Sequence, residues 1–194
     1  MEARAIRVTE AEPRPNGWWG MLLLIATEAT LFLVLIATYF YLRFRTVPWP
    51  PDGVPDPKVL RPLAYTFVLV LSTVPMLVAS SAARAGRHGL LASNLLAAVL
   101  LAGVYLWLQS NLLRDDSLHF TPRDNAYGSI YFTLQVAHAA HVFAGILLNV
   151  WLIFAVARRI TLYRLVGVEA AALYWYFVNA LAVAIVLVVI SPSL

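Results

Sequence analysis

The chain has 194 residues, of which 61% are hydrophobic and 12% charged, and its formal net charge at pH 7 is +4. A soluble domain carries about 25% charged residues, so this chain cannot build a water-covered surface and lipid must cover most of it. The sequence has no cysteine, which excludes disulfides, thiolate metal sites and thiol nucleophiles, and its basic residues form no block that would bind nucleic acid.

Five apolar stretches predict an all-α membrane protein, built as a bundle of five transmembrane helices. Each stretch is continuously apolar over about the 20 residues that cross the hydrocarbon, whereas barrel strands alternate apolar and polar residues over about 10. We expect residues 1–16 to be a solvated tail and residues 17–194 to form one membrane domain. The predicted spans cover residues 17–44, 60–83, 90–113, 126–157 and 169–190.

The first span carries an ionisable side chain, Glu28, about a third to half of the way along it. A bare carboxylate facing lipid is costly, so Glu28 should point into the bundle and be either protonated or paired. One interpretation makes it a proton-exchanging or gating group. The other makes it a carboxylic acid that hydrogen-bonds between helices, and the residues alone leave both open.

The second span contains Pro75, which lacks a backbone N–H. It should kink the helix and free the carbonyl group of Leu71. The neighbouring hydroxyl groups of Ser72 and Thr73 are candidates for local hydrogen bonds.

The fourth span carries a polar stripe, because its polar residues recur every three or four positions and so share one helical face. The members of the stripe are Tyr131, Gln135, His138, His141 and Asn149. Histidine pairs can ligate metal or haem, which would make the chain a small bis-histidine membrane cytochrome. Two residues on one face cannot supply both sides of a haem unless a second copy contributes, so we favour neutral histidines that bridge helices.

The fifth span is predicted to begin at Glu169, where the helix dipole favours a negative charge. Beyond it Tyr176 and Asn179 line one face, and Trp175 lies beside them. The sequence offers no catalytic Ser/His/Asp arrangement and no carboxylate pair on adjacent helices.

The positions of Lys and Arg predict the orientation of the bundle. Eight of the 14 basic residues fall in the tail, in the turn at 84–89 and in the predicted loop at 158–168, all on one side of the membrane. Because cytoplasmic loops are enriched in Lys and Arg, we expect the N-terminus in the cytoplasm and the C-terminus on the outer side.

Five short segments, with their order and spacing, carry a family resemblance. They read GMLLLIATE at 20–28, GVYLWLQ at 103–109, YGSIYF at 127–132, HAAHVFAG at 138–145 and GVEAAALYWYFVN at 167–179. Together they resemble the cytochrome c oxidase subunit III family of haem-copper respiratory oxidases, in its short five-helix bacterial form. The residues that match the family motifs are Glu28, His138, His141, Glu169, Tyr174 and Trp175. Tyr176 and Asn179 match by position only, because the family commonly has His and Asp there.

The resemblance implies a non-catalytic accessory subunit of a proton-pumping terminal oxidase, either a cytochrome c or a quinol oxidase. Such a subunit has no redox centre, cofactor or metal of its own, and the haems and copper are expected in its partners. Its implied partners are subunit I in direct contact, subunit II, other respiratory subunits and phospholipids, in the cell inner (plasma) membrane. It would stabilise the haem-copper subunit and support proton uptake and oxygen access.

Two further alternatives remain at this point. An accessory subunit of a nitric-oxide reductase is a related possibility, because that subunit is a relative of the same family. A proton-coupled transporter with Glu28 as the carrier belongs to another class, but transporters usually show broken helices and paired repeats, and these spans are unrepeated.

Overall fold

The computed structural model describes residues 15–158 and 162–193, and the regular secondary structure within those ranges is helical. Five helical segments among the described residues are long and apolar enough to cross a membrane, which confirms the predicted all-α membrane fold. The predicted solvated tail lies almost wholly outside the described residues. The helices are α1 Asn16–Arg45, α2 Leu60–Leu71, α3 Thr73–Arg84, α4 His88–Ser117, α5 Ala126–Arg158 and α6 Leu162–Ile190, and a 3-10 turn, Ser191–Ser193, follows.

The helices are longer than the apolar runs that predicted them. A 30-residue helix such as α1 measures about 45 Å, whereas the hydrocarbon core is about 30 Å thick. The helix ends therefore lie at the level of the lipid headgroups, where polar residues continue the helix. The largest difference is at α6, which begins at Leu162 rather than at residue 169. Glu169 is thus two turns inside the helix, and its predicted place at the helix N-terminus is wrong.

The second span divides into α2 and α3 at Ser72. Pro75 lies three residues after the break and has no N–H to donate to the carbonyl group of Leu71. The Ser72 N–H instead donates to the Leu69 carbonyl oxygen at 3.0 Å, and the Met76 N–H donates to the Ser72 carbonyl oxygen at 3.3 Å. The proline therefore opens the helix at the position where α6 packs against it.

The last helix, α6, occupies the centre of the bundle, with α1, α2, α3 and α5 packed against it. The helix α1 lies at the periphery, and Phe32 and Tyr39 are its buried residues. The chain alternates direction, so one end of the bundle holds the start of α1 and the other the end of α6. We refer to these as the Asn16 end and the Ile190 end.

The connection between α1 and α2 folds over the Ile190 end. Trp49 of this connection packs edge-on against Tyr39 at 5.4 Å and against Tyr127 at 5.1 Å between ring centroids. Lys58 pairs with the Asp116 carboxylate on α4 at 3.6 Å. These contacts tie α1, α4 and α5 together at this end. The polar residues of the first and fourth spans lie deeper in the bundle.

Candidate functional site

Glu28 of α1 and His141 of α5 form a pair inside the membrane. The distance between Glu28 Oε2 and His141 Nε2 is 2.9 Å. Glu28 lies twelve residues from the start of a 30-residue helix, or about 18 Å along its 45 Å length, so the pair is close to the bilayer midplane. Their side chains are 28% and 20% exposed, respectively. The sequence did not identify this pairing.

The partners of His141 fix where its protons are. His141 Nδ1 lies 2.7 Å from the carbonyl oxygen of Ala137, and a carbonyl oxygen only accepts hydrogen bonds, so Nδ1 carries a proton. One further proton must then lie between Nε2 and the Glu28 carboxyl group. The bond joins either a carboxylic acid to a neutral imidazole or a carboxylate to an imidazolium, and in both forms the pair has no net charge.

The pair lines a groove that opens to the outside of the bundle. The groove has a volume of about 420 Å³ and is otherwise mostly apolar, with Met21, Leu24 and Leu148 among its lining residues. The Tyr174 hydroxyl group of α6 also lines it and donates to the carbonyl oxygen of His141 at 3.1 Å. The site thus combines a proton-sharing pair with access from the lipid.

His138 faces a different part of the bundle and is 1% exposed. Its Nε2 lies 3.2 Å from the carbonyl oxygen of Val178 on α6, so Nε2 carries the proton. Its Nδ1 accepts from the Tyr105 hydroxyl group on α4 at 3.1 Å. His138 therefore joins α4, α5 and α6, whereas His141 joins α5 to α1. The two rings thus point to different neighbours and not to one common ligand.

The remaining members of the polar stripe lie at other levels of α5. The Tyr131 hydroxyl group donates to Asp116 of α4 at 2.5 Å. The Asn149 side chain donates to the carbonyl oxygen of Gly145, one turn earlier on α5, at 2.9 Å. Gln135 is buried between these levels. The stripe therefore makes contacts to α4 and within α5, and the Tyr131 hydroxyl group also interacts with the Gln135 side chain one turn along α5.

The last-helix motif meets the break between α2 and α3. The Trp175 Nε1–H donates to Ser72 Oγ at 2.9 Å, and Asn179 Nδ2 donates to Thr73 Oγ1 at 2.7 Å. The Ser72 hydroxyl group donates in turn to the carbonyl oxygen of Leu69 at 2.5 Å. Ser72 thus connects the helices besides making the local bond suggested by the sequence.

Glu169 of the same motif lies nearer the Asn16 end, and Tyr176 lies between Trp175 and Asn179 on α6. Glu169 pairs with Arg84 of α3 at 3.5 Å, a contact that the sequence did not reveal. Tyr176 lines a second groove beside this pair. Only the alternating direction of the helices hinted that the end of α3 and the start of α6 would meet.

The donor atoms of the two intramembrane histidines are already occupied by protein groups. Each ring uses one nitrogen on a backbone carbonyl oxygen and the other on a side chain of another helix. Across residues 15–158 and 162–193, no three His, Asp or Glu side chains are grouped so that they would hold a metal ion. The geometry of these side chains is that of helix-joining hydrogen bonds.

Comparison with known proteins gives a consistent result. A sequence model of the family described as cytochrome c oxidase subunit III matches residues 15–191. The chain is 32% identical over 168 residues to cytochrome c oxidase subunit 3 of Myxine glutinosa and of Gallus gallus, and 31% identical over 169 residues to that of Gadus morhua. These matches cover 83% of this chain, and the chain spans 64% of the length of each of these relatives.

Proposed function

This chain belongs to the cytochrome c oxidase subunit III family, and on that premise we propose that it is a non-catalytic accessory subunit of a proton-pumping terminal oxidase. In this role it stabilises the haem-copper subunit and supports proton uptake, oxygen access and lipid binding. Haems and copper reside in the partner subunits. The redox reaction is the reduction of oxygen to water, and this chain takes no electrons itself.

The proposed partners are subunit I in direct contact, subunit II, other subunits of the respiratory complex and phospholipids. The proposed location is the cell inner (plasma) membrane, with the N-terminus in the cytoplasm. This location is supported by large apolar side chains that are exposed on the outer faces of the helices, where lipid and partner helices would cover them. Examples are Leu23, which is 68% exposed, and Phe154, which is 70% exposed. An accessory role needs such faces and needs no enclosed reaction site.

The observation that carries the proposal is the Glu28–His141 pair. Intramembrane ionisable residues are rare and usually functional, and this pair holds one shareable proton beside a groove open to lipid. Because the pair has no net charge, it is compatible with the hydrocarbon. Both histidine nitrogens are engaged within the protein, which favours a proton-holding role over ligation of a redox group.

The first test is purification of the tagged full chain in mild detergent, followed by an optical spectrum and identification of the co-purifying subunits. We expect a haem-copper large subunit to co-purify and the complex to show haem bands. The chain separated from that subunit should show none. A nitric-oxide reductase large subunit in its place would select the related alternative. Stoichiometric haem on the isolated chain would overturn the proposal in favour of a membrane cytochrome.

The second test separates a proton role from a packing role at Glu28. In Glu28→Gln the carboxamide N–H still donates to His141 Nε2, but the exchangeable carboxyl proton is gone. We expect nearly normal assembly and a modest loss of proton uptake by the reconstituted oxidase. The control is Thr27→Val, because the Thr27 hydroxyl group bonds only within α1, to the carbonyl oxygen of Leu24. Unchanged proton uptake in Glu28→Gln would reduce Glu28 to a packing residue.

A further inference from the structure

The groove beside the Glu28–His141 pair is a slot between α1 and α5. Besides the pair, its lining residues are Met21 and Leu24 of α1, Ala140, Ala144 and Leu148 of α5, and Tyr174 of α6. On the side of the Ile190 end, Phe32 packs edge-on against the His141 ring at 5.0 Å between ring centroids, which closes the slot there. The slot therefore runs from the pair, near the bilayer midplane, to Met21, about 10 Å nearer the Asn16 end.

The slot is too narrow to seat a helix. Its volume of about 420 Å³, spread over about 10 Å of length, gives a mean cross-section of about 40 Å². An α-helix about 10 Å across has a cross-section of about 80 Å². A planar ring or a hydrocarbon chain can enter such a slot, whereas a partner helix can only lie over its mouth.

One carboxyl oxygen of the pair has no protein partner. Glu28 Oε2 shares the 2.9 Å hydrogen bond with His141 Nε2. Within residues 15–158 and 162–193, Glu28 Oε1 makes no hydrogen bond and is not fully buried, so it is open to the slot. The shared proton lies on Oε2 or on Nε2, so Oε1 carries no proton and can only accept. The slot thus offers one acceptor in otherwise apolar surroundings.

The depth of this acceptor restricts the class of ligand. A matching ligand brings an O–H or N–H group to the middle of the hydrocarbon, where phospholipids have only acyl chains and water is scarce. Dioxygen has no hydrogen to donate. A hydroquinone combines phenolic O–H donors on a planar ring with a polyprenyl tail that dissolves in hydrocarbon. Its oxidised form, the quinone, has carbonyl oxygens, which only accept.

We propose that this slot binds a membrane hydroquinone, with one phenolic O–H donating to Glu28 Oε1. The ring lies against Ala140 and Ala144, and the tail leaves past Met21 and Leu148. The event is binding alone, and the hydroquinone keeps its electrons and both protons in the slot. The inference names a ligand for the site of the proposed function, and it rests on that function for the respiratory membrane in which hydroquinones occur.

The test uses the full chain in its purified complex, kept anaerobic and fully reduced in mild detergent, with decylubiquinol as the probe. Bound hydroquinone per complex is measured after rapid gel filtration, by extraction and chromatography. At a concentration that saturates the unaltered complex, Glu28→Leu and Ala144→Phe should each bind one hydroquinone fewer per chain. The first removes the acceptor and the second fills the slot. Hydroquinone sites in partner subunits contribute equally to all samples and cancel in this difference.

The oxidised probe tests the direction of the hydrogen bond. Decylubiquinone, added to the oxidised complex, should bind in the slot about tenfold more weakly than decylubiquinol binds to the reduced complex. This is the ratio that one hydrogen bond to a charged group provides. The slot's share is again the difference between the unaltered complex and Glu28→Leu.

Two further variants complete the set. Glu28→Gln keeps an acceptor oxygen beside the slot, and Ala37→Phe adds a ring on an exposed position of α1 outside it. Both should bind decylubiquinol like the unaltered complex. The proposal would be overturned by equal hydroquinone in Glu28→Leu and the unaltered complex, by equal affinity for the oxidised probe, or by loss of the haem-copper subunit in Ala144→Phe alone. The haem spectrum of the unaltered complex reports separately on the proposed function.

Discussion

The interhelical bond between Glu28 and His141 should contribute measurable coupling energy to the bundle. The perturbation is a double-mutant cycle of Glu28→Leu, His141→Leu and the combined variant. Each single change removes the 2.9 Å bond and leaves its partner without a match in hydrocarbon. The double change removes both polar groups together, so it should cost less than the sum of the single changes.

The expected size follows from the position of the pair. Interhelical hydrogen bonds in membranes contribute about 0.6 kcal/mol on average and about 1.7 kcal/mol at most. This pair shares a proton and is mostly shielded, with side-chain exposures of 28% and 20%, so we place the coupling in the upper half of that range, at about 1–1.5 kcal/mol. Each single variant should lose about 1–3 kcal/mol, because an unpaired polar group is left behind.

The assay is reversible unfolding of the full chain in mixed micelles, with the free energy of unfolding measured for the four members of the cycle. Thr30→Ala is the control, since the Thr30 hydroxyl group bonds only to the carbonyl oxygen of Ala26 in its own helix. A coupling energy within about 0.3 kcal/mol of zero would refute the reasoning, because it is well below both the expected value and the average for such bonds. It would mean that α1 is held to α5 by apolar packing alone.

Two further predictions concern the close contacts that set the packing of α5 and α6. In Gly128→Ala the new Cβ would lie 2.4 Å from a backbone carbonyl oxygen of the preceding loop. We therefore expect the free energy of unfolding to fall by about 1–3 kcal/mol in the same assay. Gly103→Ala is the control, because its position has open space around it, and it should lose nothing. Ser72→Ala leaves the Trp175 indole N–H without its acceptor and should lower the free energy of unfolding by about 1–2 kcal/mol. Ser81→Ala is the control, because the Ser81 hydroxyl group bonds only within its own helix, and its free energy of unfolding should stay within about 0.5 kcal/mol of the unaltered chain.

The five spans could be predicted from the sequence because lipid makes one dominant demand, continuous apolar length with internal backbone hydrogen bonds. The ends of the helices could not be predicted in the same way. The helix α6 continues through polar residues at the headgroup level and begins at Leu162. The apolar pattern marks the hydrocarbon boundary, and Glu169 lies just outside it. This is why the apolar pattern alone places Glu169 at a helix end, whereas in the structure it lies inside α6 and pairs with Arg84 of α3.

The polar residues of the site could be found from the sequence, but their partners could not. Spacing on one face of α5 grouped His138 with His141, yet their rings turn to opposite neighbours. Helix periodicity reports the face of a residue to within about one residue step, 100°, which is too coarse to tell which of two adjacent helices a side chain reaches. Tyr105 is an aromatic residue that no pattern distinguishes, and Ser72 is expected from the sequence to bond only locally, so neither interhelical contact can be predicted from the residue alone.

The arrangement of the polar bonds explains why the bundle needs them. In lipid, apolar side chains gain little from choosing one helix neighbour over another, so apolar packing alone sets the register of helices weakly. Glu28 joins α1 to α5 by one directed bond, and His138 joins α4, α5 and α6 by two. Trp175 joins α6 to the break between α2 and α3 by one bond. A metal bound at His138 would have to displace the Tyr105 hydroxyl group or the Val178 carbonyl group, and so would loosen α4 or α6. The same imidazoles cannot both hold the bundle in register and ligate a redox centre, which supports the proposed non-catalytic role.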